Sequence, residues 1–332
     1  MKAAGNLPAL LEAFFTDRLI AQRRVSPHTI ASYRDTFRLL LKYAQDRLGR
    51  PPSALSLEDL DAPFIGKFLD NLERDRGNGP RSRNLRLTAI HSFFRYVAFQ
   101  EPDRARLIQR VLAIPAKRYR RALVAFLSRP EIEALLAAPD RSHRAGRRDH
   151  ALLTVAIQTG LRASELTGLR CQDVFLGRGA HISCEGKGRK ERCTPLGKHV
   201  VPVVRAWLRE RGGRPSDPLF PNARGKMLSR DGLQYVLAKH LAAARKTCPT
   251  LRSKRVSPHV LRHTTAMELL HAGVDTSVIA LWLGHESIET TQIYIDSDLA
   301  LKEKVVEKAA PPNVRKGRFR ADDQLIAFLE SL

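Results

Sequence analysis

Four stripes of apolar residues at helical period fill the first hundred residues, each opened or closed by a proline or glycine cluster. In a helix, residues three and four apart share a face, so each stripe buries one side and the helices must pack on one another. The first stripe runs from about Leu7 to Gln22 and carries Leu10, Leu11, Phe14, Phe15 and Leu19. The second opens at Ser26-Pro27, an N-cap followed by proline at the first helical position. It continues through Ile30, Tyr33, Phe37, Leu40 and Leu41 to about Leu48 and stops at Gly49-Arg50-Pro51-Pro52. The third spans about Ala62 to Arg74. The fourth follows Gly77-Asn78-Gly79-Pro80 and holds Leu85, Leu87, Ile90, Phe93, Phe94 and Val97. Residues 1–100 are expected to form a four-helix domain.

The character then shifts. Pro102, Pro115 and the run Lys117-Arg118-Tyr119-Arg120-Arg121 read as a basic connector over residues 101–121. A second domain is expected over residues 122–300, where the pattern is mixed. Ser128-Arg129-Pro130-Glu131 has the form of a capping box, and the apolar stretch from Arg147 to Gln158 is closed by Gly160. His181 to Glu185 and Arg192 to Leu196 flank a glycine-bearing turn and read as a β-hairpin. Helices are expected at about 198–211, 230–246, 258–272, 275–283 and 287–297. A tail, 301–332, follows: a helix over about 298–309 runs into it, then come the Pro311-Pro312 break and an amphipathic end over 322–332. The expected class is mainly α with a small β-hairpin or sheet, an α+β fold.

Lysine and arginine outnumber the acids 57 to 34, a formal charge of +23. A polyanion converts this self-repulsion into attraction by releasing condensed counterions, so nucleic acid is the favoured partner. Arg81, Arg83 and Arg86 at the start of the fourth helix, and Lys117, Arg118, Arg120 and Arg121 in the connector, are candidate phosphate contacts. A solvated helix face or an ordinary basic linker accounts for them equally well. The opening residues have charges and no apolar run of signal-peptide type, and no stretch approaches a membrane span, so a cytoplasmic protein is expected. Cys171, Cys184, Cys193 and Cys248 lack metal-ligand spacing and read as reduced thiols.

Five short segments carry chemistry. In Thr159-Gly160-Leu161-Arg162-Ala163-Ser164-Glu165-Leu166, Arg162 sits among apolar neighbours and needs an anion. Glu165, three residues on, can supply it as a structural pair, or can orient the guanidinium toward a phosphate. In Glu185-Gly186-Lys187-Gly188-Arg189-Lys190, glycines on both sides let a hairpin tip hold Lys187 close to another backbone. A lysine whose pKa burial can tune suits proton donation; an exposed turn lysine is the plain alternative. In Ser257-Pro258-His259-Val260-Leu261-Arg262-His263, the cap and proline start a helix with His259 and Arg262 at i and i+3 beside its positive end. His259 and His263 also have a zinc-compatible spacing, but no glutamate accompanies them and Arg262 lies between, so no metal is expected. Gly284 stops a helix and leaves His285 in a loop. Tyr294 follows nine residues later in Thr290-Thr291-Gln292-Ile293-Tyr294, where by itself it is an unremarkable helical tyrosine.

The order Arg162, Lys187, His259-x-x-Arg262, His285, Tyr294 resembles the catalytic set of the tyrosine recombinases. The wording TGLRASEL, GKGRKER, PHVLRHT and LGH is similar to their Xer-type and integron or phage integrase branch. SPHTIASYR and RNLRLTAIHSFFRY resemble that family's SAM-like core-binding domain. The resemblance implies a site-specific DNA recombinase that cuts and rejoins strands through a 3′-phosphotyrosyl link, with Tyr294 as nucleophile. It implies that Arg162 and Arg262 hold the non-bridging oxygens, with Glu165 in support. Lys187 would protonate the 5′ leaving oxygen, His259 would handle the tyrosine proton and His285 would brace the phosphate. No ATP, metal or other cofactor is implied. The implied partners are double-stranded DNA with a specific crossover site and further copies of the chain, as dimer or tetrameric synapse, with a second recombinase also admitted. The tail is the expected protomer-to-protomer contact. A type IB topoisomerase-like enzyme and an inactive DNA-binding regulator are the rival readings.

Overall fold

A computed structural model describes residues 6–119, 124–186, 191–284, 291 and 294. The chain divides into two compact units on either side of residue 121.

In the first unit, helix α1 (Leu7–Ala13) continues without a break as π-helical turns over Phe14–Gln22. Hydrogen bonds that span five residues bring Phe14 and Leu19, five apart, into the same core, and both are fully buried. Helix α2 (Pro27–Leu48) begins as its sequence requires, with the Ser26 hydroxyl accepting from the Thr29 amide, and ends at Gly49 with φ +65°. Helices α3 (Ala62–Arg74) and α4 (Pro80–Gln100) complete the expected four. Phe93 of α4 lies 5.5 Å from Phe14 and 5.3 Å from Phe37 of α2, both edge-on, so an aromatic cluster forms the centre of this unit.

Part of the expected connector belongs to this unit. Residues Ala105–Leu112 form a fifth helix, α5, whose Ile108 and Val111 are buried against the same core. Arg83 also corrects an expectation. It faces inward, 6% exposed, and donates to the Pro115 carbonyl at 3.1 Å. The chain after α5 lies back along α4, so Arg83 serves as an internal tie and is not part of an exposed basic face.

The second unit holds α6 (Arg129–Ala137), α7 (Arg144–Thr159), α8 (Ala163–Gly168), α9 (Val200–Arg211), α10 (Arg230–Thr247), α11 (Pro258–His271) and α12 (Thr276–Leu283). The capping box at Ser128 and Glu131 is formed. The hairpin is part of a three-stranded antiparallel sheet: β1 (Val174–Phe175), β2 (His181–Glu185) and β3 (Glu191–Pro195), in that order. Cys184 of β2 pairs with Arg192 of β3. The main core joins α7, α9 and α10 to the sheet through residues such as Leu152, Val155, Ile182, Val204 and Leu237. His240 of α10 hydrogen-bonds Asp149 of α7 at 2.7 Å inside it. A smaller cluster of Ala266, Met267, Leu270, Ile279, Leu283 and Tyr294 lies between α11 and α12. Thr291 and Tyr294 are both helical.

Candidate active site

Three local features bring the site together. Helix α7 stops at Gly160, φ +62°, where a Cβ would stand 2.7 Å from the Leu283 side chain and 3.1 Å from Thr265. Glycine is therefore needed both for the turn and for the close approach of α7 to the α11–α12 pair. The turn delivers Arg162 at the head of α8. Helix α11 starts at Ser257, whose hydroxyl accepts from the Val260 amide, and this places His259 and Arg262 on its first turns. Helix α12 ends at Gly284, φ +64°, leaving its last carbonyls without helical partners.

Those carbonyls are where the arginines meet. Arg262, 4% exposed, donates from Nη1 to the Gly160 carbonyl at 2.7 Å and from Nη2 to the Leu283 carbonyl at 2.6 Å. Arg162 donates from Nη2 to the Gly284 carbonyl at 2.8 Å and from Nη1 to Glu165 at 2.8 Å. The Glu165 carboxylate also accepts from the Arg162 amide at 2.8 Å and from Arg192 at 2.9 Å. Burial alone would raise the Glu165 pKa; the Arg162 amide and the Arg192 and Arg162 guanidiniums outweigh it and hold the carboxyl ionised below its usual range. Burial, with the charges of Arg162 and Arg192 beside it, lowers the Arg262 pKa to about 10. Arg262 stays cationic at neutral pH. The Arg162 side chain is 30% exposed and is the member of the pair open to a ligand. Glu165 is therefore a structural partner of Arg162, bonded to both its amide and its guanidinium.

The tyrosine is placed differently from the expectation. Tyr294 is 1% exposed, and its hydroxyl lies 3.0 Å from Nδ1 of His263 on α11. The two rings meet edge-on at 5.5 Å. Burial raises the phenol pKa, and the nearby Arg262 charge opposes the rise. His259, the expected proton partner, stacks at 6.3 Å from the His263 ring, and burial with the charges of Arg262 and Arg162 lowers its pKa from the ordinary imidazole value. The histidine touching the nucleophile candidate was thus weighed from sequence only as half of a zinc pair. Among the described residues, no three His, Cys, Asp or Glu side chains stand together as metal ligands.

Burial, His259 and Arg262 lower the His263 pKa from 6.5 to about 4. A folded-state value below the unfolded one means that protonation favours unfolding. This contribution is whole above pH 6.5 and is lost as pH falls from 6.5 toward 4, by up to about 3 kcal/mol. Denaturant unfolding of wild type and His263→Asn at pH 7 and pH 4.5 should show the larger loss in wild type. Equal losses would remove His263 as the source.

Lys187, His285, Arg120, Arg121 and the tail lie outside the described residues. Of the other expected contacts, Arg81 and Arg118 are exposed. Arg86 is half-buried and donates to the Ser32 carbonyl and the Thr36 hydroxyl, which ties α4 to α2. Lys117 pairs with Glu73.

Comparison with known proteins places the chain in a family. Residues 125–300 match the phage integrase family, and residues 13–101 match the phage integrase N-terminal SAM-like domain. The chain is 59% identical, over the full length of both, to the Sinorhizobium fredii integrase/recombinase y4rC. It is 33% identical to the tyrosine recombinase XerC of Pelobacter propionicus, over 90% of this chain and 94% of that protein. In fold it is similar to the XerH site-specific recombinase solved on palindromic difH DNA, with TM-score 0.69 and 23% identity, covering 86% of this chain and 81% of that one. A lambda integrase dimer bound to a core site is similar at TM-score 0.63 and 20% identity, over 88% and 77% of the chains. With both halves of the chain matched and the arginines meeting at the end of α12, this protein belongs to the phage integrase family of tyrosine recombinases.

Proposed function

We propose that the chain is a site-specific DNA recombinase whose Tyr294 attacks the scissile phosphate. The observation that carries this reading is the meeting of Arg162 and Arg262 at the end of α12, with the Tyr294 hydroxyl against His263, the residue that follows Arg262 on α11. Two fixed cations offset the charge that builds on the non-bridging oxygens, which is the main catalytic device in phosphoryl transfer. The tyrosine oxygen forms a bond to phosphorus, the bond to the 5′ oxygen breaks, and the phosphodiester energy is kept in the 3′-phosphotyrosyl link without ATP. His259 takes the phenol proton, Lys187 gives a proton to the departing 5′ oxygen, and His285 supports the phosphate. An incoming 5′-hydroxyl reverses the step.

With Tyr294 enclosed beside His263, DNA or a neighbouring protomer has to draw it toward the phosphate. The reading includes double-stranded crossover-site DNA, a dimer or tetrameric synapse built through residues 301–332, and action in the cytoplasm. DNA-bound and dimeric forms of the similar recombinases support it.

The test is a nicked suicide duplex carrying DNA that flanks the gene, from which the short fragment bearing the new 5′-hydroxyl escapes after cleavage. A protein–DNA adduct linked through a 3′ phosphate at Tyr294 is expected. Binding without an adduct would favour an inactive regulator. Relaxation of supercoiled DNA without sequence preference would favour a topoisomerase.

A further inference from the structure

Arg192 was not among the residues that the sequence singled out, yet it occupies the middle of the site. It stands on β3, its side chain is 11% exposed, and it reaches away from the sheet to two acceptors. One is Glu165, at 2.9 Å from Nη2, the carboxylate that also holds Arg162. The other is the Leu283 carbonyl, which also takes Nη2 of Arg262. Arg192 therefore shares one acceptor with each phosphate-directed arginine, and the bonds run without a break through Arg162, Glu165, Arg192, the Leu283 carbonyl and Arg262. The fit extends to the backbone: a Cβ on Gly284 would stand 2.1 Å from Nη1 of Arg192, so a glycine at the end of α12 leaves room for the guanidinium to lie across it.

We propose that Arg192 is a positioning residue for strand cleavage, which fixes Arg162 and Arg262 relative to one another by bridging Glu165 to the last carbonyls of α12. It touches neither DNA nor the reacting atoms. Its positive charge also answers Glu165, so that the carboxylate does not cancel Arg162 alone. Without Arg192, the carboxylate draws Arg162 inward, and the Leu283 carbonyl and Arg262 lose their lateral restraint. A guanidinium does this in full because one planar group reaches two acceptors on different elements, whereas an ammonium keeps the charge and reaches one of them.

This inference rests on the recombinase reading above. The experiment compares the full-length wild-type chain with Arg192→Gln and Arg192→Lys on the nicked suicide duplex. It measures the single-turnover rate of adduct formation at saturating DNA, the affinity for the same duplex, and thermal unfolding. For Arg192→Gln the rate should fall on the order of 10²-fold, as when one preorganised cationic contact is lost. Affinity should stay within threefold. Arg192→Lys, which keeps the charge and can reach one acceptor, should recover part of the rate. An unchanged rate in Arg192→Gln would overturn the proposal. So would a loss that appears equally in affinity and in thermal unfolding, or that Arg192→Lys does not relieve, because each marks a merely structural strut. If wild type itself formed no adduct, the recombinase reading would be the one to fail.

Discussion

Tyr294→Phe should abolish covalent attachment to DNA and leave binding to the site within a few-fold of wild type. The substitution removes one oxygen and keeps the ring that fills the pocket between α11 and α12, among Met267, Leu270, Ile279 and Leu283. Folding loses the hydrogen bond to His263, worth about 1 kcal/mol. The chemistry loses everything, because a phenyl ring has no atom that can attack phosphorus. The adduct on the suicide duplex should drop below detection. The salt dependence of binding should keep its slope, since the phosphate contacts that set that slope are elsewhere. Recombination at the wild-type rate by this variant would remove Tyr294 as the nucleophile.

Arg262→Gln combines a catalytic with a structural loss. The guanidinium is buried and holds the Gly160 and Leu283 carbonyls, which join the end of α7 to the end of α12. Removing it takes the donor from the buried Gly160 carbonyl, at about 1–3 kcal/mol, and leaves the Leu283 carbonyl to Arg192 alone. Cleavage should slow by about 10²–10³-fold through loss of a fixed cation at the phosphate. Urea unfolding should show a lower midpoint with an unchanged slope, and the single-turnover rate should fall even where the protein remains folded. Arg262→Lys keeps the charge but lacks the fork that reaches two carbonyls at once, so it should recover less stability than charge alone would give. Wild-type midpoint and rate together in Arg262→Gln would refute this account of the residue.

These two residues show what a linear sequence makes legible. Ser26, Pro27, Gly49, Ser257, Pro258 and Gly284 act locally, through caps, fixed φ and left-handed turns, and helix ends followed from them directly. Arg162 and Arg262 were legible through apolar neighbours and i, i+3 spacing. Helix α5 was not: Ile108 and Val111 are its only fully buried side chains, and its arginines blend into the basic stretch that follows. Arg83 looked like any surface arginine because its acceptor, the Pro115 carbonyl, is 32 residues away. Arg192 was hidden for the same reason, with Glu165 27 residues before it and Leu283 91 residues after. His263 was seen as a ligand spaced from His259; its contact with Tyr294 depends on a tertiary approach that spacing along one helix does not encode.

At the end of α12, the acceptors that gather the three arginines are main-chain oxygens of Leu283 and Gly284. Side-chain replacement does not delete a carbonyl, so residue 283 can drift among apolar types without disturbing what it offers the arginines. Length is another matter. One residue inserted into or removed from the eight of α12 would swing its terminal carbonyls by about 100° around the helix axis. Selection on this segment should therefore tolerate apolar exchange at residue 283, keep glycine at 284, and reject insertions and deletions.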